Sequence, residues 1–155
     1  MKKFIILFFI SLLFIGCTDN DKKIIGTWQR SVREDDGGKY IETYVFYDED
    51  NDNRVEYSYI PQDYSHIGYK ANGRWDLDLM GNLELFLNPS SAKPTYKFYP
   101  DEWQKTQIDA YIDEIKIGLS QQLQEMEEAS IGLEITDDVL TLETLSSKDR
   151  FNRVY

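Results

Sequence analysis

Apolar and polar residues alternate along much of this chain, as in strands that turn one face to a core and the other to water. The alternation is clearest over residues 74–80, where apolar side chains occupy every second position from Trp75 to Leu79. Gly81-Asn82 then predicts a hairpin turn into residues 83–87, whose leucines alternate in the same way. These two segments predict a pair of antiparallel strands.

Further strands are predicted where β-branched and aromatic residues are dense between polar turns. Residues 64–70 are expected to be irregular, with a short extended piece. Short strands with short connections are typical of an antiparallel barrel or a strongly bent sheet. In chain order the further strands are residues 24–30, 39–47, 54–60, 95–99, 133–136, 139–145 and 150–155.

One segment repeats its apolar residues every three or four positions, which predicts an amphipathic helix. Asp101, followed three residues later by Gln104, forms a capping-box pattern at its start, and the helix is expected to reach Ala129. The simplest interpretation is that the apolar stripe packs on the sheet. The alternatives are a lid over the mouth of a barrel or a helix that docks in a partner's groove. The stripe consists of Ile108, Tyr111, Ile112, Ile115, Leu119, Leu123 and Met126.

The pattern as a whole predicts one mainly-β domain over residues 24–155. Its expected fold is an antiparallel up-and-down barrel of about eight to nine strands, with one long amphipathic helix inserted before the last three. The last strand is expected to return and pair with the first. Trp28 of the first strand is expected at the floor of the barrel, and Gly26 lets the backbone turn in just before it.

The N-terminal segment, residues 1–16, has the features of an export signal: two lysines followed by a mostly apolar run over residues 4–15. At 1.5 Å per residue that run is about 18 Å long, short of the roughly 30 Å of a bilayer core. Gly16-Cys17 resembles the end of the lipobox of bacterial lipoproteins, which implies cleavage before Cys17 and acylation of its thiol, with palmitate among the chains. The alternative is an ordinary secretory signal followed by a free thiol.

The chain is acidic, with 28 Asp and Glu against 17 Lys and Arg and a net charge of −11. Such a surface repels phosphate backbones, so no nucleic-acid partner is predicted, and the membrane is expected as a partner only through the lipid on Cys17. Residues 17–23 are expected to form the lipidated cysteine and a polar tether. Thr18 replaces the aspartate that retains some enteric lipoproteins at the inner membrane. By that resemblance the protein is expected at the outer membrane of a Gram-negative bacterium, on its periplasmic face or at the cell surface.

The chain contains five features that occur together in one family: Cys17, Gly26-Thr27-Trp28, Tyr44-Val45-Phe46, Gly73-Arg74-Trp75 and Arg150-Phe151-Asn152-Arg153. Together they resemble the lipocalin-like lipoproteins of Bacteroides and its relatives. In lipocalins a glycine-any-tryptophan motif lies at the closed end of the barrel, and an arginine of a late strand packs over the indole. The resemblance implies that Arg150 or Arg153 makes this contact here. The helix before the last three strands and the lack of a threonine-aspartate-tyrosine turn depart from the family.

Aromatic residues of the predicted strands are candidates for lining a ligand pocket, because amphipathic rings stack on sugars or enclose an amphiphile. The alternative is that they pack only as core and barrel wall. The candidate lining residues are Tyr44, Phe46, Tyr57, Tyr59, Trp75 and Tyr96.

Candidate chemistry is sparse. His66 is the only histidine, and its neighbours match no catalytic motif, so neither a zinc cluster nor a hydrolytic triad is expected. Asp48, Asp50 and Asp52 have the spacing of the first ligands of an EF-hand loop, but Asn53 stands where that loop needs glycine. A solvated hairpin turn is the simpler interpretation and a weak calcium site the alternative. No catalytic residue, cofactor or enzymatic activity is predicted.

Two functions remain open on this basis. The first is a carrier or sensor that holds a small apolar or amphiphilic ligand inside the barrel, which apolar side chains on both faces of the second strand favour. The second is a protein-interaction module, such as an inhibitor or an accessory subunit of a surface complex, that uses the acidic helix and loops. The uncompensated acidic residues at 125–128 favour this second function, because a helix C-terminus disfavours negative charge.

Overall fold

The computed structural model describes residues 20–49, 52–125 and 131–155. The predicted signal peptide, Cys17 and Asp50 lie outside these ranges. The described residues form two α-helices, α1 (Asn20–Ile24) and α2 (Glu102–Glu125), and one turn of 3-10 helix at Pro89–Ser91. Their strands are β1 (Gly26–Arg33), β2 (Lys39–Glu49), β3 (Asp52–Pro61), β4 (Gly68–Leu77), β5 (Leu83–Leu87), β6 (Lys93–Thr95), β7 (Gly132–Thr136), β8 (Val139–Glu143) and β9 (Lys148–Val154).

The strands form one antiparallel sheet that nearly closes into a barrel. Their order around the barrel is β5-β4-β3-β2-β1-β9-β8-β7, and β6 pairs with β4 beside this path. The last strand returns to the first, with Arg153 directly opposite Trp28. The prediction of an up-and-down barrel with one helix before the last three strands is therefore confirmed.

The barrel closes at a seam between β5 and β7. Within the described ranges the two edges are joined by one bridge, in which the Leu83 N–H donates to the Ile131 carbonyl at 2.8 Å and the Ile131 N–H donates back at 3.0 Å. Helix α2 packs against β5, β6 and the 3-10 turn, with Ile108, Ile112 and Leu119 buried. This part of the helix stripe therefore packs on the sheet beside the seam. Leu123 and Met126 belong to the part of the stripe whose side chains the structure does not describe.

Local signals in the sequence fix the ends of several elements. At the start of α2, the Asp101 N–H donates to the Gln104 side chain at 2.9 Å and the Gln104 N–H donates to the Asp101 carboxylate at 2.8 Å, which confirms the predicted capping box. Before β5, Gly81 adopts a φ of 82° in the predicted turn. Neither helix in the described part of the chain is long and apolar enough to cross a bilayer.

Some predicted boundaries differ from the structure. The first strand begins at Gly26, because Ile24 belongs to α1 and is fully buried, so part of the predicted tether is helical. The fourth strand begins at Gly68, well before the predicted residue 74. Its alternation of apolar and polar residues is hard to recognise in the sequence because inward residues such as Ala71 and Gly73 are small. Leu79 lies beyond the end of β4 in the hairpin turn and is 98% exposed.

The strand predicted at residues 95–99 instead spans Lys93–Thr95. Thr95 is paired with Gly68, the first residue of β4, so the chain beyond it has no partner strand there to bond with. Tyr96 and Tyr99, predicted on a strand, therefore lie outside the sheet. Tyr96 is 39% exposed and Tyr99 is fully exposed.

The end of the barrel at which β1 begins, here called the floor, is filled by apolar side chains. Because strand residues alternate between the two faces of a sheet, every second residue from Trp28 along β1 points into the barrel. The largest side chains that are almost completely buried are Trp28, Phe46, Phe151, Ile24, Leu83, Leu140, Val55 and, at the opposite end of β3, Pro61.

Candidate functional site

The floor is sealed by a contact between the first and last strands. The guanidinium carbon of Arg153 lies 4.3 Å from the centroid of the Trp28 ring, and the indole N–H of Trp28 donates to the Ile24 carbonyl at 2.7 Å. Of the two arginines that the sequence offers for this contact, the structure places Arg153 over the indole, whereas Arg150 is exposed on β9. The indole therefore has both a cation on its face and a partner for its N–H.

Gly26 makes the floor contact possible. It has a φ of +132°, a conformation that side-chain-bearing residues rarely adopt, and a Cβ at this position would lie 3.1 Å from Nη1 of Arg153. Nη1 of Arg153 donates to the Ile25 carbonyl at 3.1 Å, and Nη2 donates to the Lys23 carbonyl at 2.5 Å. Arg153 therefore fastens the end of α1 to the last strand.

Above the floor, the inward side chains become phenolic. The Tyr44 ring lies 4.9 Å from the Tyr57 ring and 5.3 Å from the Phe151 ring, and the Tyr57 ring lies 5.3 Å from the Tyr69 ring. Tyr57 is 7% exposed, whereas Tyr44 and Tyr69 are only half-buried. Solvent therefore reaches this level of the interior.

An ion-pair network lies at the same height. Arg30 points inward because it is two residues beyond Trp28 and directly opposite Glu42. Its Nε donates to Oε2 of Glu42 at 2.5 Å, and its Nη1 donates to the carboxylate of Asp149. The Tyr57 hydroxyl donates to Oε1 of Glu42 at 3.1 Å. The network ties β1, β2, β3 and β9 together inside the barrel.

We call this level of the interior the tyrosine cup, defined by Arg30, Glu42, Tyr44, Tyr57, Tyr59, Tyr69 and Asp149. At its rim, Tyr59 stacks on Tyr40 with the ring centroids 4.3 Å apart, and the Tyr59 hydroxyl donates to Glu34. Glu34 follows the end of β1, so this level is the end of the barrel opposite the floor. That end is therefore lined by rings and carboxylates.

The phenols of the cup are neutral at ordinary pH. Burial raises the pKa values of Tyr44, Tyr57 and Tyr59 well above their usual range. Burial also raises the pKa of Tyr111 on α2 to about 12, with further contributions from nearby Tyr69. Each hydroxyl can consequently donate one hydrogen bond and accept others, and α2 contributes a ring beside the cup.

The charges of the cup and its rim are unequal. The single guanidinium of Arg30 is opposed by the carboxylates of Glu42 and Asp149, and Glu34 adds a third carboxylate at the rim. Arg30 and Asp149 keep 27% and 31% of their side-chain surface accessible. The cup therefore presents hydrogen-bond acceptors and net negative charge to anything that enters it.

His66 lies in a loop at this end, where its described neighbours do not have the arrangement of a hydrolytic triad. Its Nδ1 is 2.7 Å from Oδ1 of Asp63 and 3.0 Å from Oγ of Ser65, so the acid and the hydroxyl compete for the same nitrogen. A triad needs them on opposite ring nitrogens, so that the base can take the proton of the nucleophile. Nε2 instead faces Asp36 at 3.6 Å, and His66 links two loops.

Most of the candidate lining residues point into the barrel. Tyr44, Phe46 and Tyr57 lie on the inward faces of their strands, as do Tyr59 and Trp75, and the most deeply buried are Phe46 and Trp75. Tyr96 is the exception: its exposed ring lies outside the barrel, 5.2 Å from the Phe98 ring. The cup also contains four residues that were not among the predicted lining residues: Arg30, Glu42, Tyr69 and Asp149.

Two-residue spacing was the signal that could have found two of the missed residues. Arg30 follows Trp28 by two positions, and Glu42 precedes Tyr44 by two, so each shares the inward face of a residue already placed inside. Asp149 reaches the cup only through the pairing of β9 with β1, which no local pattern reveals.

The calcium candidate is described only in part. Asp48 and Asp52 lie at the facing ends of β2 and β3, and Asp50 falls outside the described ranges. Among the residues that are described, no group of three or more His, Cys, Asp or Glu side chains is arranged to hold a metal ion. The candidate therefore stays a prediction.

Comparisons with protein-family models, with curated proteins and with solved structures find no match to this chain. The function is therefore inferred from the geometry of the barrel and its cup.

Proposed function

We propose that this protein is a lipocalin-like carrier or sensor that binds one small amphiphilic ligand in the tyrosine cup. The observation that carries the proposal is that the floor is completely buried, whereas several polar side chains of the cup stay partly accessible. At the floor, Trp28 is 0% and Phe46 1% exposed, whereas Arg30 in the cup keeps 27% of its side-chain surface accessible. We therefore place the ligand above the floor, beside the accessible polar side chains.

The charges of the cup suggest which polar group the ligand carries. Carboxylates outnumber the guanidinium, and the faces of neutral tyrosine rings attract cations. The half-buried apolar side chains Ile115, Leu133 and Ile135 pack against the core and offer contacts to a short hydrocarbon portion. A small amphiphile with an ammonium or other hydrogen-bond donor fits this environment best.

Three ligands with the same alkyl chain test the proposal: octylammonium, octanol and octanoate, each titrated into the purified domain by calorimetry. We expect octylammonium to bind most tightly and octanoate least, because the carboxylates repel an anion. Equal affinities for all three would refute the charge argument. The absence of binding for all three would refute the carrier function.

A matched pair of variants separates binding in the cup from attraction to an acidic surface. Tyr69→Ala removes a half-buried ring of the cup and is expected to weaken octylammonium binding about tenfold, which corresponds to about 1.4 kcal/mol. Tyr64→Ala removes a ring that is 74% exposed in a loop, and its affinity should equal that of the unmodified protein. Equal losses in the two variants would place the ligand elsewhere.

The lipid anchor on Cys17 and the outer-membrane location belong to the same proposal. The described chain begins at Asn20, and α1 is fastened to the floor through Ile24 and Trp28. An anchor a few residues earlier would hold the floor towards the bilayer, so the cup would face away from it. Radiolabelled palmitate should be incorporated into the unmodified protein and not into Cys17→Ala. Incorporation into that variant would refute the anchor.

A further inference from the structure

A second concave site lies on the outer face of the barrel, separate from the cup. It is a cleft of about 570 Å³ across β2, β3, β4 and β5. Four of its residues are in register across these strands: Tyr47 lies opposite Arg54, Arg54 opposite Arg74, and Arg74 opposite Phe86. We call these four residues the arginine row. It places two guanidinium groups on neighbouring strands, between two aromatic side chains.

The row faces outward because its strands alternate. Val55 and Trp75, which directly follow Arg54 and Arg74, are buried at 0% and 3% exposure, whereas both arginines are exposed. A ligand in this cleft would therefore not contact the tyrosine cup, and binding at the two sites can be measured separately.

Two arginines directly opposite each other destabilise a sheet, because like charges repel across neighbouring strands. The guanidinium carbon of Arg54 lies 5.9 Å from the centroid of the Tyr47 ring. Arg74 makes no ion pair with any of the described residues. Asp52 and Glu56 also line the cleft and balance its formal charge. An oxyanion between the two guanidinium groups would offset their repulsion, with modest affinity because of these carboxylates.

The rest of the cleft suits a sugar ring. Gly73 lies in its wall, where an added Cβ would stand 1.9 Å from the Phe86 carbonyl oxygen, so there is no room for a side chain at this position. Asn72 and Asn88 are exposed at its edge. Oδ1 of Asn88 already accepts from the N–H and hydroxyl of Ser90, so Asn88 offers its amide N–H groups, whereas the Asn72 amide can both donate and accept. Aromatic rings beside planar polar groups suit a ligand with an apolar face and hydroxyl groups.

We propose that the arginine row binds an acidic monosaccharide unit, with its oxyanion between Arg54 and Arg74 and its ring against Phe86 or Tyr47. Guanidinium groups bind both carboxylates and phosphates in this way. The acid is therefore either the carboxylate of a uronic acid or the phosphate of a sugar phosphate. No covalent step is involved.

Titration of the isotope-labelled protein with D-glucuronate, glucose 1-phosphate and D-glucose, followed by NMR, tests the proposal. We expect at least one acidic sugar to shift the backbone amide signals of Gly73, Arg74 and Asn88 in the millimolar range, with no such shifts from glucose. The stronger of the two acidic sugars identifies the oxyanion. Equal shifts from glucose, or no shifts from either acidic sugar, would overturn the proposal.

Arg74→Gln keeps a long polar side chain and removes the charge, so we expect about tenfold weaker binding of the preferred acidic sugar. Arg33→Gln makes the same change at an exposed position at the end of β1 and should bind like the unmodified protein. Tyr69→Ala, which impairs the cup, should also leave this titration unchanged. Equal weakening in Arg74→Gln and Arg33→Gln would show only a general charge effect and would overturn the site.

Discussion

Trp28 is in contact with both ends of the folded chain, since its indole N–H bonds to Ile24 and its face carries Arg153. We expect Trp28→Ala to lower the free energy of unfolding by about 3–5 kcal/mol, because it leaves a cavity under the floor and an unsupported guanidinium. Denaturant unfolding followed by far-ultraviolet circular dichroism measures the change. Trp103→Ala, at a position that is 67% exposed, is the control and should change stability by less than about 0.5 kcal/mol. Similar values for the two variants would contradict the floor assignment.

Two glycines allow opposite predictions for one substitution. Gly26→Ala introduces a strained backbone at φ +132° and brings a Cβ to 3.1 Å from Arg153, so it should destabilise the protein by about 1–3 kcal/mol. Gly118→Ala lies within α2 with nothing within 4 Å of the added Cβ, and should stabilise by roughly 0.5–1 kcal/mol. Thermal unfolding of both variants measures whether each substitution raises or lowers the melting temperature. A stabilising Gly26→Ala would contradict the proposed tight fit.

The contact between His66 and Asp63, at the end of the barrel opposite the floor, should make the stability of the protein depend on pH. The hydrogen bond to Asp63, with the nearby charges of Asp63 and Asp36, raises the pKa of His66 above its ordinary 6.5. A raised folded-state pKa adds stability that is fully present below pH 6.5 and is lost as the pH rises through the folded value. The hydrogen bond from His66 in turn lowers the pKa of Asp63 below 3.8, so its contribution is present above that pH and is lost on acidification.

The pair should therefore stabilise the protein most between about pH 4 and 6.5. Below pH 6.5, His66→Gln should melt at a lower temperature than the unmodified protein, and the difference should shrink as the pH rises above the folded pKa. Melting curves across this range measure the effect, and NMR titration of the imidazole gives the pKa directly. An imidazole that titrates at or below 6.5 would contradict the link to Asp63.

At the scale of elements, α2 supports the seam between β5 and β7. Leu119 is 6% exposed and belongs to the core, so Leu119→Ala should lower the free energy of unfolding by about 2–5 kcal/mol. Because α2 packs beside the seam, hydrogen exchange should accelerate more at the Leu83 and Ile131 amides than in the β1–β2 pair. Ile117→Ala, at a position that is 59% exposed, should leave both quantities nearly unchanged. Uniform acceleration would mean that α2 does not support the seam specifically.

The sequence predicted elements well where the signal is local. The alternating leucines of β5 and the capping box of α2 both correspond to structure, because neighbouring residues alone decide them. The start of β4 could not be found in the same way, since Ala71 and Gly73 on its inward face are small and interrupt the apolar alternation between Tyr69 and Trp75. The end of β6 could not be predicted from its own residues, because β6 ends where its partner strand β4 begins.

The residues of the candidate site also differ in whether a local pattern predicts them. Tyr44 and Tyr57 could be placed on strand faces from their spacing, whereas the meeting of Arg30 with Asp149 requires β9 to pair with β1. Such a contact joins residues that are distant in sequence, so only closure of the barrel creates it. The arginine row could not be predicted for the same reason, because it depends on the register of four paired strands.

For the whole molecule, polarity changes along the barrel axis. The floor is apolar and filled, while the cup above it is phenolic and acidic, in a chain with a net charge of −11. An acidic field around the cup would attract cations and repel anions at long range. Any acidic ligand of the arginine row must therefore be held by the local guanidinium groups, and its binding should depend on salt differently from binding in the cup.

The pairing of β1 with β9 also has a consequence for how the chain folds. Thr27 lies opposite Val154, so the second edge of β1 is covered only when a strand distant in sequence reaches it. Contacts between residues so far apart in the chain form slowly. Until then both β1 and β8 present open edges that invite pairing with other chains. A chain that lacked β9 would therefore form not a smaller barrel but an open sheet with exposed edges.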